Sequence, residues 1–179
     1  EFAGFYGKTP AEMKELLEKY NLCGISAHIR PEAVEESLPY IDALGIRYVF
    51  IPHVATEEFE TPEKYAALLE NTAKAKALLD ARGVVFGYHN HAHEYAGGND
   101  YLGKYTADAG LKAELDVFWA HVAGKDAVSE MKRLSDRLAF VHIKEAAKAA
   151  LEEPQPIVGE GVVDMQGVFD EMKRGGVEW

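Results

Sequence analysis

Short apolar runs alternate with amphipathic stretches from one end of the chain to the other. The apolar runs predict buried strands, and they cover residues 22–29, 48–54, 84–91, 112–117 and 138–144. The stretches with helical spacing are often opened by a capping Thr or Asp, and they cover residues 9–20, 31–44, 61–81, 100–108, 126–134 and 165–173. Strands that alternate with helices indicate an α/β fold with a parallel sheet and right-handed crossovers.

The strand count predicts a (β/α)8 TIM barrel that is incomplete at both termini. Five complete strands are recognisable, with a remnant of another at residues 1–3 and the opening of one more at residues 177–179. A closed barrel needs eight strands and typically about 250 residues, whereas this chain has 179. We therefore expect one domain over residues 1–179, without the first strand-helix unit and the last strand. Its open sheet edges would make a homo-oligomer compatible with the fold.

Two segments near the C-terminus carry weaker signals. Residues 145–156 are Ala-rich and then interrupted by Pro, which is typical either of a mobile loop over a site or of an ordinary irregular connection. Residues 158–164 contain Gly-Glu-Gly, with Glu160 between the two glycines. This run is also what a simple turn looks like, and Asp164 after it is suited to cap the final helix.

The acidic charge of the chain narrows the range of partners. The formal net charge is −11 at pH 7, and surfaces that bind nucleic acid or an anionic membrane need clustered Lys and Arg. We therefore expect neither of these partners. A small sugar-like substrate stays compatible, because a bound cation can supply positive charge locally. No run approaches the roughly 20 apolar residues that a membrane-spanning helix needs.

Cysteine content and the N-terminal residues bear on the cellular compartment of the protein. The single cysteine, Cys23, cannot form an internal disulfide. It lies in an apolar run, so we expect a buried structural thiol. The first residues do not resemble a signal peptide. We expect a cytoplasmic protein and leave open a targeting segment before Glu1.

Polar side chains stand at the ends of the predicted strands. In α/β barrels the active site is built at the carboxyl ends of the strands, so these residues are candidates for chemistry rather than for scaffold. They are His28, His53, His89, His91, Asp116, His142 and Lys144. His28 and His53 are suited to recognise hydroxyl groups or transfer protons, and a structural role is the alternative for each.

The segment His89-Asn90-His91 is the sharpest of these strand ends. Alternate residues of a strand share a face, so His89 and His91 are expected to point the same way. Two imidazoles on one face suit a metal site or a ligand paired with a base. The alternative is a pair of hydrogen-bonded structural histidines.

Asp116, His142 and Lys144 extend the candidate site to the next two strands. A carboxylate on a buried strand is costly unless it is paired or coordinated, so Asp116 is predicted to be a metal ligand, with a buried salt bridge as the alternative. Glu114 shares its face and is a candidate outer partner. His142 is a candidate third ligand. Lys144 is suited to hold a substrate oxygen, unless it forms an ordinary salt bridge.

At these residues the chain resembles the sugar phosphate isomerase/epimerase group of the xylose isomerase-like TIM barrels. The resemblance covers nearly the whole chain. It rests on the order and spacing of Gly-Tyr-His-Asn-His-x-x-Glu, Glu-Leu-Asp-Val-x-Trp, Val-His-Ile-Lys-Glu, Val-Gly-Glu-Gly-Val-Val-Asp and Leu-Gly-Ile-Arg-Tyr-Val. Each motif alone is unspecific.

The resemblance implies one divalent cation, such as manganese, cobalt, zinc or magnesium, at the ends of the last four strands. Mapped onto this chain, the first three ligand positions fall at His89, Asp116 and His142. His89 stands where such barrels usually have Glu. The fourth ligand would lie on the strand that residues 177–179 only begin.

The implied function is an enzyme that isomerises or epimerises a monosaccharide or sugar derivative through an enediolate-type intermediate. We assign proton transfer or substrate orientation to His91 and Glu94, and contact with a substrate oxygen to Lys144. The predicted substrate-binding residues are His28, His53, Trp119 and Glu160. For Trp119, packing is as good an explanation as stacking on a sugar ring.

Three alternatives stay open. The same kind of site runs dehydration or elimination in inosose dehydratases and keto-sugar lyases. A non-catalytic sugar-binding protein is the alternative from a different class. A DNA-repair endonuclease of the same superfamily needs a basic groove, which the net charge of −11 speaks against.

Overall fold

The computed structural model describes residues 1–148, 151 and 154–179. Part of the segment 145–156, for which a mobile loop was one prediction, therefore lies outside the described residues. The chain divides into two compact units, Glu1–Gly87 and Tyr88–Trp179. The prediction of a single domain stays a prediction.

Five parallel strands give the protein the α/β TIM-barrel type of fold that the alternating pattern predicts. The strands are β1 (Ser26–His28), β2 (Tyr48–Ile51), β3 (Val85–His89), β4 (Lys112–Asp116) and β5 (Leu138–His142). Their order in the sheet is β1-β2-β3-β4-β5. Sequential order in a parallel sheet with helical connections is the strand arrangement of this fold class.

Seven α-helices in the described residues precede, connect or follow these strands. They are α1 (Pro10–Tyr20), α2 (Val34–Leu44), α3 (Pro62–Asp80), α4 (Tyr101–Asp108), α5 (Val117–Val122), α6 (Ala127–Arg133) and α7 (Met165–Gly175). Short 3₁₀ turns occur at Pro31–Ala33, Thr56–Phe59 and His93–Gly98. Six of the helices match predicted helices, whereas α5 lies where the sequence pattern predicts only the end of a strand.

Local capping fixes where the first helix begins. The Thr9 side chain accepts the backbone N–H of Glu12, and the Glu12 carboxylate accepts the backbone N–H of Thr9 at 2.7 Å. Pro10 occupies the first helical position, where its missing N–H costs nothing. Asn21 closes the helix in a left-handed conformation.

In the first unit, β1 and β2 form the buried centre. Ala27 pairs with Val49 and His28 with Phe50, and the apolar residues of this pair are buried. Phe2 forms an isolated parallel bridge to Ala27. The strand remnant predicted at residues 1–3 therefore lies beside β1, as a single bridge rather than a strand.

In the second unit, a shift in register sets which residues of β4 and β5 lie side by side. Ala113 pairs with Leu138, but Glu114 pairs with Phe140, so Ala139 is skipped. Because of this shift, Asp116 lies opposite His142. A one-residue irregularity of this kind re-aims every side chain that follows it. Near the C-terminus, the Trp179 carbonyl accepts the Val141 N–H at 3.0 Å.

The prediction that Cys23 is a buried structural thiol is wrong. Cys23 is exposed, as is the neighbouring Leu22. The apolar run that begins at Leu22 becomes a strand only at Ser26, so its first residues lie on the surface. Within the part of the chain that the structure describes, none of the helices has the length and apolar character needed to cross a membrane.

Leu115 provides a test of the second unit's core. Its side chain is 0% exposed at the centre of β4, so Leu115→Ala should lower the free energy of unfolding by about 2–5 kcal/mol. The matched control is Leu22→Ala, whose side chain is 61% exposed and whose loss should cost less than about 1 kcal/mol. Denaturant unfolding of both variants measures the difference. Equal costs would contradict the burial of β4.

Candidate metal centre

Three side chains with metal-binding atoms meet at the carboxyl ends of three strands in the second unit. His89 ends β3, Asp116 ends β4 and His142 ends β5. Each offers one potential ligand atom, and these atoms all lie within 4.8 Å of one another. His89 Nε2 and Asp116 Oδ2 lie 3.7 Å apart. The rings of His89 and His142 lie 5.1 Å apart, edge to face.

This donor set fits a divalent cation. Zinc-like cations hold imidazole nitrogen and carboxylate oxygen at about 2.0–2.2 Å, so two ligand atoms of one ion lie at most about 4.4 Å apart. The 3.7 Å pair already satisfies that limit. Three ligand atoms on one ion lie on average no more than about 3.8 Å apart, so a set with separations of up to 4.8 Å would close by up to about 1 Å when a cation binds. Two imidazoles and one carboxylate suit zinc, manganese or cobalt better than calcium.

Burial makes it costly for the side chains of this cluster to carry charge. His89 and Asp116 are both buried, whereas the His142 side chain is 38% exposed. Burial raises the pKa of Asp116, and this effect is opposed by the backbone N–H of Trp119 and by the charges of His142, His89 and Lys144. His142 therefore forms the open side of the cluster.

The Asp116 carboxylate also starts a helix. Its Oδ1 accepts the backbone N–H of Trp119 at 2.9 Å and caps α5, while Oδ2 faces His89. The Asp116 backbone is held in turn, because its N–H donates to Asn90 Oδ1 at 2.9 Å. One carboxylate thus fixes both the candidate ligand position and the start of the helix that carries Trp119.

Glu114 is a second carboxylate close to both histidines of the cluster. It is 0% exposed. Its Oε2 lies 3.2 Å from His89 Nδ1, and its Oε1 lies 3.8 Å from His142 Nδ1. The sequence analysis named Glu114 as an outer partner, and its position between the two imidazoles favours that interpretation.

Next to the cluster, aromatic rings surround a histidine and a lysine. The His91 ring lies 5.2 Å from the ring of His89 and 5.2 Å from that of Trp119. Lys144 Nζ lies 3.9 Å from the centre of the Phe118 ring and 5.3 Å from that of Trp119. Such contacts attract an ammonium group to the ring faces. His91, Trp119 and Lys144, all predicted site residues, are therefore brought together beside His89.

Glu94 is enclosed by the protein and hydrogen-bonded to it, whereas a group that acts on substrate has to face the site opening. Its carboxylate is fully buried. One oxygen accepts the Tyr88 hydroxyl, and the other accepts the backbone N–H of His91 at 2.8 Å. His93 Nε2 lies 3.4 Å from the same carboxylate. These contacts favour a role in holding His91, and direct action on substrate stays a prediction.

His28 and His53 belong to the first unit. His28 ends β1, and its Nε2 lies 3.2 Å from Glu1 Oε2. His53 follows β2 and lines a cleft of about 610 Å³ together with Arg30, Glu58 and Asn71. The cleft is lined by a positively charged side chain, Arg30, and a negatively charged one, Glu58. The substrate-binding roles predicted for His28 and His53 stay predictions.

Comparison with known proteins places this arrangement in a family. The family described as Xylose isomerase-like TIM barrel matches residues 2–179. The chain belongs to this family. No curated protein matches the sequence.

Solved structures of this xylose isomerase-like fold superimpose on the chain at low sequence identity. A sugar phosphate isomerase/epimerase from Parabacteroides distasonis aligns with a TM-score of 0.76 and 20% identity, covering 98% of this chain and 68% of that one. An AP endonuclease, family 2, from Brucella melitensis gives 0.79 and 16%, covering 98% and 77%. D-allulose 3-epimerase from Methylomonas sp., in complex with D-allulose, gives 0.67 and 15%, covering 93% and 65%. At these identities the likeness shows the fold alone.

Sequence reasoning assigned no role to Glu145, a buried carboxylate of this xylose isomerase-like chain. Glu145 follows Lys144 and is buried. Its oxygens accept the backbone N–H groups of Ala146 at 2.9 Å, Gly159 at 2.9 Å and Val163 at 3.0 Å. Burial by itself raises the pKa of Glu145, but hydrogen bonds from these amides and from Gly161 outweigh it and lower the pKa.

Glu145 thereby ties the end of β5 to the Gly-Glu-Gly turn. Glu160, predicted to bind substrate, is exposed at the tip of that turn, and its role stays a prediction. The two glycines were the available sequence signal, because amides that converge on one carboxylate leave little room for side chains. A Cβ on Gly161 would overlap the Ala146 carbonyl oxygen and the Glu145 side chain.

Gly161→Ala tests this turn. Because the new methyl group would displace backbone and the Glu145 carboxylate, the free energy of unfolding should fall by about 1–3 kcal/mol. Gly175→Ala is the control, since its Cβ would meet only Val177 Cγ2 at an ordinary 3.8 Å and alanine favours helices by up to about 1 kcal/mol. Thermal unfolding compares them. If the Gly161→Ala protein is as stable as the control, the close contact between Glu145 and the Gly-Glu-Gly turn is contradicted.

Proposed function

We propose that this chain supplies the metal centre of a divalent-cation-dependent isomerase or epimerase that acts on a monosaccharide or sugar derivative. The observation that carries the proposal is the cluster of His89, Asp116 and His142 at adjacent strand ends, with ligand atoms within 4.8 Å of one another. Barrels of this class build their active sites at that edge of the sheet.

The comparisons support the choice of substrate class. Two of the superimposed structures are named sugar phosphate isomerase/epimerase and D-allulose 3-epimerase, and the latter holds D-allulose. One is named an AP endonuclease. The net charge of −11 favours a small substrate over a phosphate backbone, which a protein binds through clustered cations.

In the proposed reaction, His89, Asp116 and His142 would hold the cation. A divalent cation bound there would supply Lewis-acid polarisation of a substrate carbonyl and of the hydroxyl next to it. The hydrogen on the hydroxyl-bearing carbon would then be acidic enough for a base to remove. A proton returned to the neighbouring carbon isomerises the sugar, whereas a proton returned to the opposite face of the same carbon epimerises it.

His91 is the residue proposed to move that proton. Its ring lies 5.2 Å from that of His89, close enough to reach a substrate held beside His89, and its backbone is fixed by Glu94. An imidazole exchanges protons near neutral pH. Trp119 lies 5.2 Å from His91 and offers a ring face against which a sugar can stack.

Lys144 is proposed to bind a substrate oxygen. The rings of Phe118 and Trp119 hold its ammonium group in place, at 3.9 and 5.3 Å from their centres. An ammonium group that is positioned before the reaction stabilises negative charge on oxygen as that charge develops.

Elemental analysis tests the metal centre. The purified chain should contain about one equivalent of divalent cation, and His142→Ala should lose it because one of three donors is gone. His121→Ala is the control, since His121 lies on α5 outside the donor cluster, and it should keep the metal. Metal retained in His142→Ala, or lost equally in both variants, would refute the assigned site.

Proton exchange tests the reaction. Incubation with ketoses and keto-sugars in D₂O, followed by NMR, should show deuterium incorporated at the carbon next to the carbonyl, together with an isomer or epimer. Release of water from the substrate would favour the lyase or dehydratase alternative. Sugar binding without exchange would favour the non-catalytic binding protein.

Lys144→Met separates catalysis from metal binding. Loss of the ammonium group should lower kcat by about 10²-fold, as removal of a charge-stabilising donor does, while the metal content stays unchanged. Lys132→Met is the control, because Lys132 is exposed on α6 and its loss should leave kcat as it is. Unchanged kcat in Lys144→Met would contradict the role of Lys144.

A further inference from the structure

Glu114 occupies a position that the register of the sheet creates. The shift between β4 and β5 falls between Ala113 and Glu114, so it determines where Glu114 and everything after it point. Glu114 lies two residues before Asp116, on the same face of β4, and is 0% exposed. A carboxylate so fully removed from water needs close compensating partners.

The two oxygens of Glu114 face two different imidazoles. Oε2 lies 3.2 Å from His89 Nδ1, and Oε1 lies 3.8 Å from His142 Nδ1. On the opposite edge of the His89 ring, Nε2 lies 3.7 Å from Asp116 Oδ2. His89 is therefore held between two carboxylates, with Glu114 at one nitrogen and the candidate metal position at the other.

We propose that Glu114 is a positioning residue that sets the tautomer and orientation of His89. A carboxylate 3.2 Å from Nδ1 favours a proton on that nitrogen, which leaves Nε2, the nitrogen directed toward Asp116, to bind a cation. The same carboxylate reaches His142 and keeps the two rings at their 5.1 Å separation. This inference rests on the proposed metal centre.

A purely structural buried ion pair would behave differently. Such a pair contributes to folding, and its loss lowers stability without a specific effect on metal binding. A carboxylate that orients a metal-binding histidine changes cation affinity by about 10- to 100-fold when it is replaced. The affinity for a cation and the proton position on His89 therefore distinguish the two roles.

Glu114→Gln is the decisive variant, because it keeps the size of the side chain and removes its charge. The dissociation constant for Zn²⁺ and for Mn²⁺, measured by chelator competition, should rise by about 10- to 100-fold at unchanged stoichiometry. In the metal-free protein, ¹⁵N NMR of the imidazole nitrogens should show His89 protonated on Nδ1 in the original chain and a mixture of tautomers in the variant.

Glu130→Gln is the matched control. Glu130 is also a buried carboxylate of the second unit, but its partners are the Tyr95 hydroxyl and Arg133, which lies with it on α6. Its loss should leave both the metal affinity and the His89 tautomer unchanged. Thermal unfolding of both variants reports any general loss of structure. If Glu114→Gln does not fold, Glu114→Asp keeps the charge at a longer distance and should weaken affinity by less than the 10- to 100-fold range.

Each outcome has a distinct meaning. Unchanged affinity and an unchanged tautomer in a folded Glu114→Gln protein overturn the inference. Complete loss of stoichiometric metal, as expected for His142→Ala, would make Glu114 a direct ligand and would also overturn it. If the original chain binds neither cation, the proposed function fails, whereas the tautomer measurement still decides whether Glu114 controls His89.

Discussion

The candidate site depends on one constraint, which is the burial of two carboxylates beside two imidazoles. Glu114 and Asp116 are almost entirely removed from water, and His89 lies between them. Charges in such surroundings are stable only if each has a partner. The parallel sheet provides those partners, because it brings the ends of β3, β4 and β5 together. The register shift before Glu114 then places Asp116 opposite His142 rather than opposite Val141.

The positions of the strands and most helices could be predicted, because apolar runs and capping residues are local signals. The exact residues at which each strand begins and ends could not be predicted, because the apolar runs extend beyond the paired residues. The run beginning at Leu22 becomes a strand only at Ser26, since Leu22 and Cys23 remain exposed. Helix α5 was missed for a related reason. Its cap is Asp116, which follows an apolar strand directly, so that one residue ends the strand and begins the helix.

Much of the candidate site was also visible in the sequence, since His89, Asp116 and His142 each end a strand. The roles of the other carboxylates were not visible, because they depend on contacts that sequence spacing does not specify. Glu94 reads as an acid in a histidine-rich segment, yet it is buried and binds Tyr88 and the backbone of His91. In the sequence Glu145 is simply a residue that follows a strand, yet in the structure it accepts the backbone N–H groups of Gly159 and Val163, which lie later in the chain.

Each of these carboxylates has a different role, which is set by the groups that it contacts. Glu145 accepts backbone amides and so fixes a turn. Glu94 accepts one hydroxyl and one amide and so fixes a loop. Asp116 uses one oxygen to cap α5 and turns the other toward His89. A change in the position of Asp116 would therefore move Trp119 as well, because the Trp119 amide is its capping donor. The ring proposed to meet a sugar and the carboxylate proposed to hold a cation are thus linked by this hydrogen bond.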